Sequence, residues 1–227
     1  MLKIYGTPIS VHTRKVIAVL LHKNVPFENV PVVPVLPGNP PANWRELSPT
    51  GKIPVLDHDG FVLEDSSAIC AWLDRRHSQH PVYPDDANDY ARVLAYEQYA
   101  VHLYREVVHP LFVENVVNPN IRQLPKDERR IARVLADAVP ECFGYLDSRL
   151  NGSWLVGKEP TMADFAVTSN LMNFRYLGYD LEATRYPHLA GHFMRSLRET
   201  AMSAAWEYEA PAAAAMGLDR SWHVQDR

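Results

Sequence analysis

The segment YGTPISVHTRKV, residues 5–16, places Ser10, His12 and Thr13, followed by two bases, between a strand-like start and a helical pattern. A turn of this kind leaves unpaired backbone N–H groups at a helix N-terminus, and these groups favour an anionic ligand. The sequence therefore predicts an anion site at this turn. We expect His12 to be an exposed residue at the start of the helix.

Three other motifs carry polar or special residues. EDSSAI places Asp65 and Ser66 at a predicted helix start, where they serve either as ordinary caps or, with the exposed amides, as ligands of an amino-acid carboxylate. In GKIPVL, Pro54 indicates either an edge strand or a cis peptide bond. In TMAD, Thr161 and Asp164 form a capping box ahead of an apolar run, and we interpret this motif as structural.

Several common catalytic motifs are missing from the sequence, which contains no G-x-G-x-x-G, no G-x-x-x-x-G-K-[ST], no G-x-S-x-G and no C-x-x-C. His188 and His192 share a helix face but lack the glutamate of a zinc-protease motif, so we assign no metal. An aromatic stripe on one predicted helix is expected in the core or at an interface, and is only a candidate pocket wall. It comprises Tyr90, Tyr96, Tyr99, His102 and Tyr104.

Composition restricts the class of protein further. The 227 residues are 47% hydrophobic and carry a net charge of −4, which is typical of a globular protein and argues against nucleic-acid binding or a polybasic membrane patch. No stretch is long and apolar enough for a signal peptide or a membrane span. We therefore expect a cytoplasmic protein, with Cys70 and Cys142 as reduced, buried thiols.

Apolar periodicity and turn residues divide the chain into two parts. The first predicts the order β-α-β-loop-β-β-α: a strand in LKIYG, a helix over 13–24, a strand over 27–33, an irregular loop over 34–41, a hairpin at DHDG and a helix after Asp65. Proline and acidic residues at 77–86 mark a boundary. Helices are predicted beyond it over 87–108, 126–150, 162–177 and 188–199, with Pro140 kinking or splitting the second. The C-terminal residues look like a short helix or a frayed tail without chemistry.

Four segments together resemble the cytosolic glutathione S-transferase family in order and spacing, over almost the whole chain: YGTPISVHTRKV, ELSPTGKIPVLDHDGFVLEDSSAI, WLVGKEPTMADFAV and YPHLAGHFMRSL. The first is most similar to serine-type members, the phi-type and related bacterial-like ones. The resemblance implies an α+β, thioredoxin-like glutathione-binding domain over 1–78, a linker over 79–86 and an all-helical domain over 87–227. It also implies a homodimer, with glutathione bound between the two domains.

The resemblance implies roles for individual residues as well. Ser10 matches the active hydroxyl that stabilises the glutathione thiolate. Pro54 matches the family cis-proline, and the backbone of Ile53 would pair with the cysteinyl part of glutathione. Lys52 occupies a position that often contacts the peptide.

Two further pairs of residues match motifs of the family. Asp65 and Ser66 match the acid–serine pair that holds the γ-glutamyl end of glutathione, and Thr161 and Asp164 match its folding-critical capping box. One departure concerns the glycine carboxylate, for which phi-type members carry basic residues. This chain has the proline-rich LPGNPPANW there, with no His or Lys over 36–44.

The resemblance implies an enzyme that conjugates glutathione, as co-substrate and without another cofactor, to a small hydrophobic electrophile. A non-catalytic binding or scaffold protein of the same fold is the alternative, and the missing bases of the 36–44 loop favour it. Peroxidase, isomerase and dehalogenase activities also stay open, because the same thiolate serves each. Thiol–disulfide exchange is disfavoured, since Ser10 and Thr13 stand where a redox C-x-x-C would need sulfur.

Overall fold

The N-terminal part of the chain is a small mixed sheet with helices. The computed structural model describes residues 1–222. The strands are β1 Leu2–Tyr5, β2 Glu28–Val30, β3 Val55–His58 and β4 Phe61–Glu64, and the helices are α1 Val11–His22, α2 Trp44–Leu47 and α3 Ser66–Arg76. The sheet order is β2-β1-β3-β4, with β1 parallel to β2 and both other pairings antiparallel. This arrangement confirms the predicted α+β, thioredoxin-like architecture.

The rest of the described chain is helical, as predicted. Its elements are α4 Ala87–Leu103, α5 His109–Phe112, α6 Glu128–Arg133, α7 Val139–Arg149, α8 Met162–Tyr176, α9 Pro187–Arg198, α10 Thr200–Tyr208 and α11 Ala210–Ala215. Across residues 1–222, no helix has the length and apolar character needed to cross a membrane. The structure leaves ten residues between α3 and α4, and the domain limits given above stay a prediction.

The second strand is shorter than predicted. The sequence predicted a strand over 27–33, whereas β2 covers only Glu28–Val30. Pro31 ends the ladder because proline has no backbone N–H to donate to a neighbouring strand. Val32 is nevertheless fully buried. The apolar pattern therefore predicted the burial of this residue correctly, but its pairing in a strand incorrectly.

Two prolines inside the long helices are each preceded by a wider, π-helical turn, and the helices continue past them. A π-helical turn, Tyr104–Val108, precedes Pro110, and a second one, Val134–Ala138, precedes Pro140. Proline lacks an N–H and its ring collides with the carbonyl four residues earlier, and a wider turn accommodates both effects. Helical structure therefore continues to Arg122, and the predicted helix end at residue 108 is wrong. At Pro140 the predicted irregularity takes the form of this π turn.

The C-terminal tail is packed on the helical core as far as it is described. Ala210–Ala215 forms the expected short helix. Beyond it, Trp222 is only 5% exposed and contacts Trp206 edge-on, with 4.7 Å between ring centroids. Glu209, which directly precedes this segment, is fully buried and pairs with Arg14 of α1. Of the two alternatives predicted for the tail, the short helix is confirmed and the frayed tail is wrong for residues up to 222.

Candidate active site

Strand register brings the three predicted site segments to one end of the sheet. Tyr5, the last residue of β1, lies opposite Val55, which in turn lies opposite Glu64 at the end of β4. The turn with the predicted active hydroxyl follows β1, Pro54 immediately precedes β3, and Asp65 immediately follows β4. Segments separated by about fifty residues thus lie at the same end of the sheet, where a single ligand can contact all of them.

Ser10 occupies the N-cap position of α1. Its backbone is extended, with φ −67° and ψ 130°, and within residues 1–222 its side chain makes no capping hydrogen bond to the first turn. The residue is partly exposed. Its hydroxyl is therefore free of the usual capping role and lies at a helix N-terminus, where an anion is favoured.

Gly6 allows the turn before α1 to fold tightly. Its φ is +153°, and a Cβ there would lie 2.5 Å from Thr13 Oγ1 and 3.3 Å from the Cβ of Ile53. Only glycine permits this approach. The turn is consequently seated against the residue that precedes Pro54, and Thr13 is fully buried beneath it. Thr13 does not face the cleft.

The Ile53–Pro54 peptide bond is cis, which decides between the two interpretations of GKIPVL. Pro54 is buried, Ile53 is partly exposed and Lys52 is exposed. Nearby, the guanidinium of Arg45 on α2 packs against Gly51 and donates to the carbonyl of Pro49 at 3.3 Å. The structure therefore places a second cation next to the segment that contains Lys52.

Asp65 caps α3 through one carboxylate oxygen. Its Oδ1 accepts hydrogen bonds from the amides of Ser67 at 2.9 Å and Ala68 at 3.1 Å. The φ of Asp65 is +72°, an uncommon conformation for a residue other than glycine and one that is frequently found at functional sites. Asp65 is exposed, and Ser66 is 6% exposed at the first position of the helix. The capping role is thus real, and Oδ2 takes no part in it.

His12 is only partly exposed, and not exposed as expected, because Tyr104 of the helical part packs against it. Its ring meets Tyr104 edge-on, with 4.6 Å between centroids. Burial and the charge of Lys15 lower the pKa of His12 to about 4, while Asp65 opposes the shift. The imidazole is therefore neutral at neutral pH. The charge of Asp65 is thus close enough to His12 to affect the pKa of its imidazole.

The tyrosines of the aromatic stripe pack against the hydrophobic core, and Tyr104 also contacts His12. Tyr104 lies beside His12 and also beside His109, at 5.4 Å between ring centroids. Burial raises the pKa of Tyr104, so the phenol stays protonated. Tyr99 instead stacks on Tyr145 at 4.2 Å. Tyr104 belongs to the stripe predicted as a candidate pocket wall, whereas His109 lies beyond the predicted helix end and was not predicted.

The two bases of the TRKV segment do not face the cleft. Arg14 is fully buried against Glu209, and Lys15 donates to Glu97 at 2.7 Å and to Ser67 Oγ at 3.0 Å. Their partners lie 195 and 82 residues away in sequence. These side chains therefore join α1 to the helical part, and sequence spacing alone gave no signal for it.

Two cavities of about 250 Å³ and 560 Å³ lie elsewhere. The first is lined by His22, His80 and Glu199 among others, and the second lies between α3 and α4. Neither includes Ser10 or Asp65.

Two family models match this chain. The model described as the glutathione S-transferase N-terminal domain matches residues 4–81, and the one described as the glutathione S-transferase C-terminal domain matches residues 113–206. The chain belongs to the cytosolic glutathione S-transferase family. Both matches fall in the order predicted from the sequence.

Individual relatives agree with this assignment. Glutathione S-transferase hmp2 of Hypomyces subiculosus is 27% identical over 212 residues, covering 91% of this chain and 99% of that protein. Human glutathione S-transferase theta-2 is 32% identical over 153 residues, covering 65% and 60% respectively. The apo form of human glutathione S-transferase T1-1 superposes with a TM-score of 0.82 and 23% sequence identity, covering 93% of this chain and 89% of that chain. The fold is therefore that of a glutathione S-transferase, while the similarity to phi-type members stays a prediction.

The other residues singled out in the sequence of this glutathione S-transferase, the TMAD motif, two histidines and two cysteines, have structural and not ligand-binding surroundings. The TMAD capping box is present at the start of α8, as predicted. His192 is buried and contacts Asp164 at 2.8 Å, whereas His188 is exposed. Over residues 1–222, no three His, Cys, Asp or Glu side chains are grouped to hold a metal ion. Cys70 and Cys142 are buried free thiols, and burial raises the pKa of Cys142 to about 11.

Proposed function

We propose that this protein activates glutathione at Ser10 and transfers it to a hydrophobic electrophile. Membership of the glutathione S-transferase family supports transferase activity. The observation that carries the assignment to these residues is the register of β1, β3 and β4, which gathers the Ser10 turn, the cis Ile53–Pro54 bond and Asp65 at one edge. Each segment offers a group suited to a different part of the tripeptide.

Binding of glutathione would use charges and backbone groups that the cleft already presents. The backbone of Ile53 would pair with the cysteinyl unit, while Asp65 and Ser66 would hold the ammonium and carboxylate of the γ-glutamyl end. Lys52 and Arg45 are the cations near this edge, and we assign the glycine carboxylate to them. This assignment would compensate for the absence of bases in the 36–44 loop.

The Ser10 hydroxyl would act as a hydrogen-bond donor to sulfur. A free thiol has a pKa of about 8.5, so only a few per cent is thiolate at neutral pH. Lowering that pKa by about 2 units requires about 2.7 kcal/mol of differential stabilisation. One charge-assisted hydrogen bond together with the N-terminus of α1 can supply it. The thiolate then attacks an electrophilic carbon, and the leaving group departs with the bonding electrons.

The rings of His12, two residues after Ser10, and of Tyr104, which contacts it, favour an uncharged, apolar electrophile. His12 is neutral because burial and Lys15 lower its pKa, and burial raises the pKa of Tyr104. Two neutral rings therefore lie close to the Ser10 turn near neutral pH, and aromatic faces and edges suit planar apolar substrates. We propose a small hydrophobic electrophile for this reason.

Variants of Asp65 and Ser66 test the binding part of the proposal. Asp65→Ala and Ser66→Ala should weaken glutathione binding about tenfold or more, because each removes a hydrogen bond to a charged group. Loss of the cap alone costs only about 1 kcal/mol of stability. Asp65→Asn is the matched control for folding, since asparagine caps helices and tolerates positive φ. Calorimetric affinities and urea midpoints should be measured on all three; early melting with unchanged affinity would make both residues purely structural.

A homodimer is proposed from the exposed apolar surface around β4 and α3. Phe61 and Val62 on the edge strand β4 are 47% and 40% exposed, and Phe61 stacks on Trp72 of α3 at 5.5 Å. An unpaired edge strand with apolar side chains favours a self-complementary contact about a two-fold axis. Light scattering should give twice the chain mass of 25.8 kDa. A mass of one chain at every concentration would contradict the dimer.

Titration of glutathione into the protein by calorimetry tests the proposed function before any electrophile is known. Saturable binding, followed by conjugation of a generic aryl halide, is the expected result. No binding would leave the alternative of a scaffold protein with this fold. A cytoplasmic location is part of the same proposal and follows from the composition described above.

A further inference from the structure

A buried ion pair reaches from the C-terminal region to the start of α1. Arg14 Nε lies 2.5 Å from Glu209 Oε2, and both side chains are 0% exposed. Tyr176 donates its hydroxyl to the other oxygen of Glu209, also at 2.5 Å. Replacing a buried ion pair by apolar residues often leaves stability unchanged or improves it. Stability is therefore a weak explanation for this pair.

The remaining donors of Arg14 hold the backbone just before Ser10. Its Nη2 donates to the carbonyl oxygen of Ile9 at 3.1 Å, and its Nη1 donates to the carbonyl oxygen of Ser169 on α8 at 2.7 Å. A guanidinium presents its donors in one rigid plane, so fixing two of them fixes the direction of the third. Glu209 and Ser169 thus determine where Arg14 places the Ile9 carbonyl.

A second contact holds the backbone just after Ser10. The hydroxyl of Ser169 donates to the carbonyl oxygen of Val11 at 2.8 Å. The carbonyls on both sides of Ser10 are therefore bound by groups anchored in α8 and in the segment after α10. A rigid backbone at these two points limits the positions that the Ser10 hydroxyl can take.

We propose that Arg14, Glu209 and Ser169 are positioning residues that fix the Ser10 hydroxyl against the sulfur of glutathione. This inference rests on the proposed function of Ser10. None of the three side chains touches the reacting atoms, and they act through the carbonyls of Ile9 and Val11. The helical part of the chain would therefore contribute to thiol activation as well as to the electrophile wall.

The test compares two buried ion pairs at opposite ends of α1. Arg14→Met with Glu209→Leu removes the proposed hold without leaving one charge unpaired. Lys23→Met with Asp74→Leu removes a second pair just beyond the other end of α1, where the buried Lys23 Nζ lies 2.7 Å from Asp74 Oδ1 and also donates to the carbonyls of His77, Gln79 and His80. The readouts are the pKa of bound glutathione, from thiolate absorbance, and amide hydrogen exchange over residues 9–12 in the free protein.

The first double variant should raise the thiol pKa and lower kcat at neutral pH between about tenfold and a hundredfold, with the glutathione KM changed less than about threefold. Exchange over 9–12 should accelerate. The Lys23 and Asp74 variant should match the wild type in both readouts. A folded Arg14 and Glu209 variant with wild-type pKa and exchange would overturn the inference, as would equal shifts in both pairs.

Ser169→Ala keeps the inference testable if the Arg14 and Glu209 variant does not fold. It removes only the hydroxyl bound to the Val11 carbonyl, and it should shift the thiol pKa and the exchange in the same direction by smaller amounts. Wild-type behaviour of that variant in both readouts would also overturn the inference. Absence of any thiolate band in the wild type would instead refute the proposed function, and the exchange comparison would still decide whether these residues hold the turn.

Discussion

Replacing Ser10 by alanine should lower turnover with a generic aryl halide about ten- to a hundredfold near neutral pH. A charge-assisted hydrogen bond is worth roughly 1.5–3 kcal/mol, and each 1.36 kcal/mol of barrier is about tenfold in rate. Glutathione affinity should change little, because the proposed binding contacts lie on other residues: Arg45, Lys52, Ile53, Asp65 and Ser66. The loss should shrink as pH rises past the free thiol pKa of about 8.5, where thiolate forms without help. Steady-state kinetics over pH 6–9 measures this.

Variants of the same turn serve as controls for Ser10→Ala. Thr13→Ala alters a hydroxyl that is fully buried, so it should affect stability more than the pH profile. His12→Ala should chiefly raise the KM of the electrophile, because the ring lies at the wall with Tyr104. If Ser10→Ala keeps the wild-type profile while His12→Ala or Thr13→Ala loses turnover at neutral pH, the role belongs to another residue of the turn.

Replacing Asp164 by alanine should destabilise the fold by about 3–5 kcal/mol, a large share of the about 5–15 kcal/mol of a typical protein. Asp164 is fully buried. Its Oδ1 accepts from the Leu155 amide at 2.9 Å and contacts His192 Nε2 at 2.8 Å, and its Oδ2 accepts from the Thr161 amide at 2.8 Å. Alanine would leave all these partners buried without a hydrogen bond. Urea unfolding at constant pH measures the change.

An exposed cap provides the control for Asp164→Ala. Asp86 caps α4 by accepting from the amides of Asn88 and Asp89, each at 3.0 Å, and it is exposed to solvent. Asp86→Ala should cost only about 1 kcal/mol. In both variants the folded protein should retain glutathione affinity. A midpoint for Asp164→Ala equal to that of Asp86→Ala would contradict the interpretation of TMAD as a folding motif.

Local patterns predicted those features of the fold that depend on neighbouring residues. The DHDG hairpin, the helix after Asp65 and the TMAD capping box each follow from side chains within a few positions of one another. The Pro34–Pro41 segment is irregular as expected, because proline there permits neither helix nor ladder. The predicted helix end near Pro110 was wrong, because a π turn before this proline lets the helix continue.

Contacts between residues far apart in the chain could not be predicted from local sequence patterns. The juxtaposition of Ser10 with Asp65 depends on strand register, which neither motif encodes alone. The covering of His12 by Tyr104 and the pairing of Arg14 with Glu209 depend on how the helical part docks on α1. Family resemblance supplied roles for residues at the sheet edge, but it carried no information on these charged and aromatic partners.

Thiol activation by Ser10 can be followed directly in the ultraviolet absorbance of glutathione bound to the protein, measured against pH in the wild type and in Ser10→Ala. We expect a thiolate band in the wild type with a midpoint about 2 units below the free thiol pKa of about 8.5. In Ser10→Ala the midpoint should return towards the free value, at nearly unchanged affinity. A wild-type midpoint equal to that of free glutathione, or identical midpoints in the two proteins, would contradict thiol activation by Ser10.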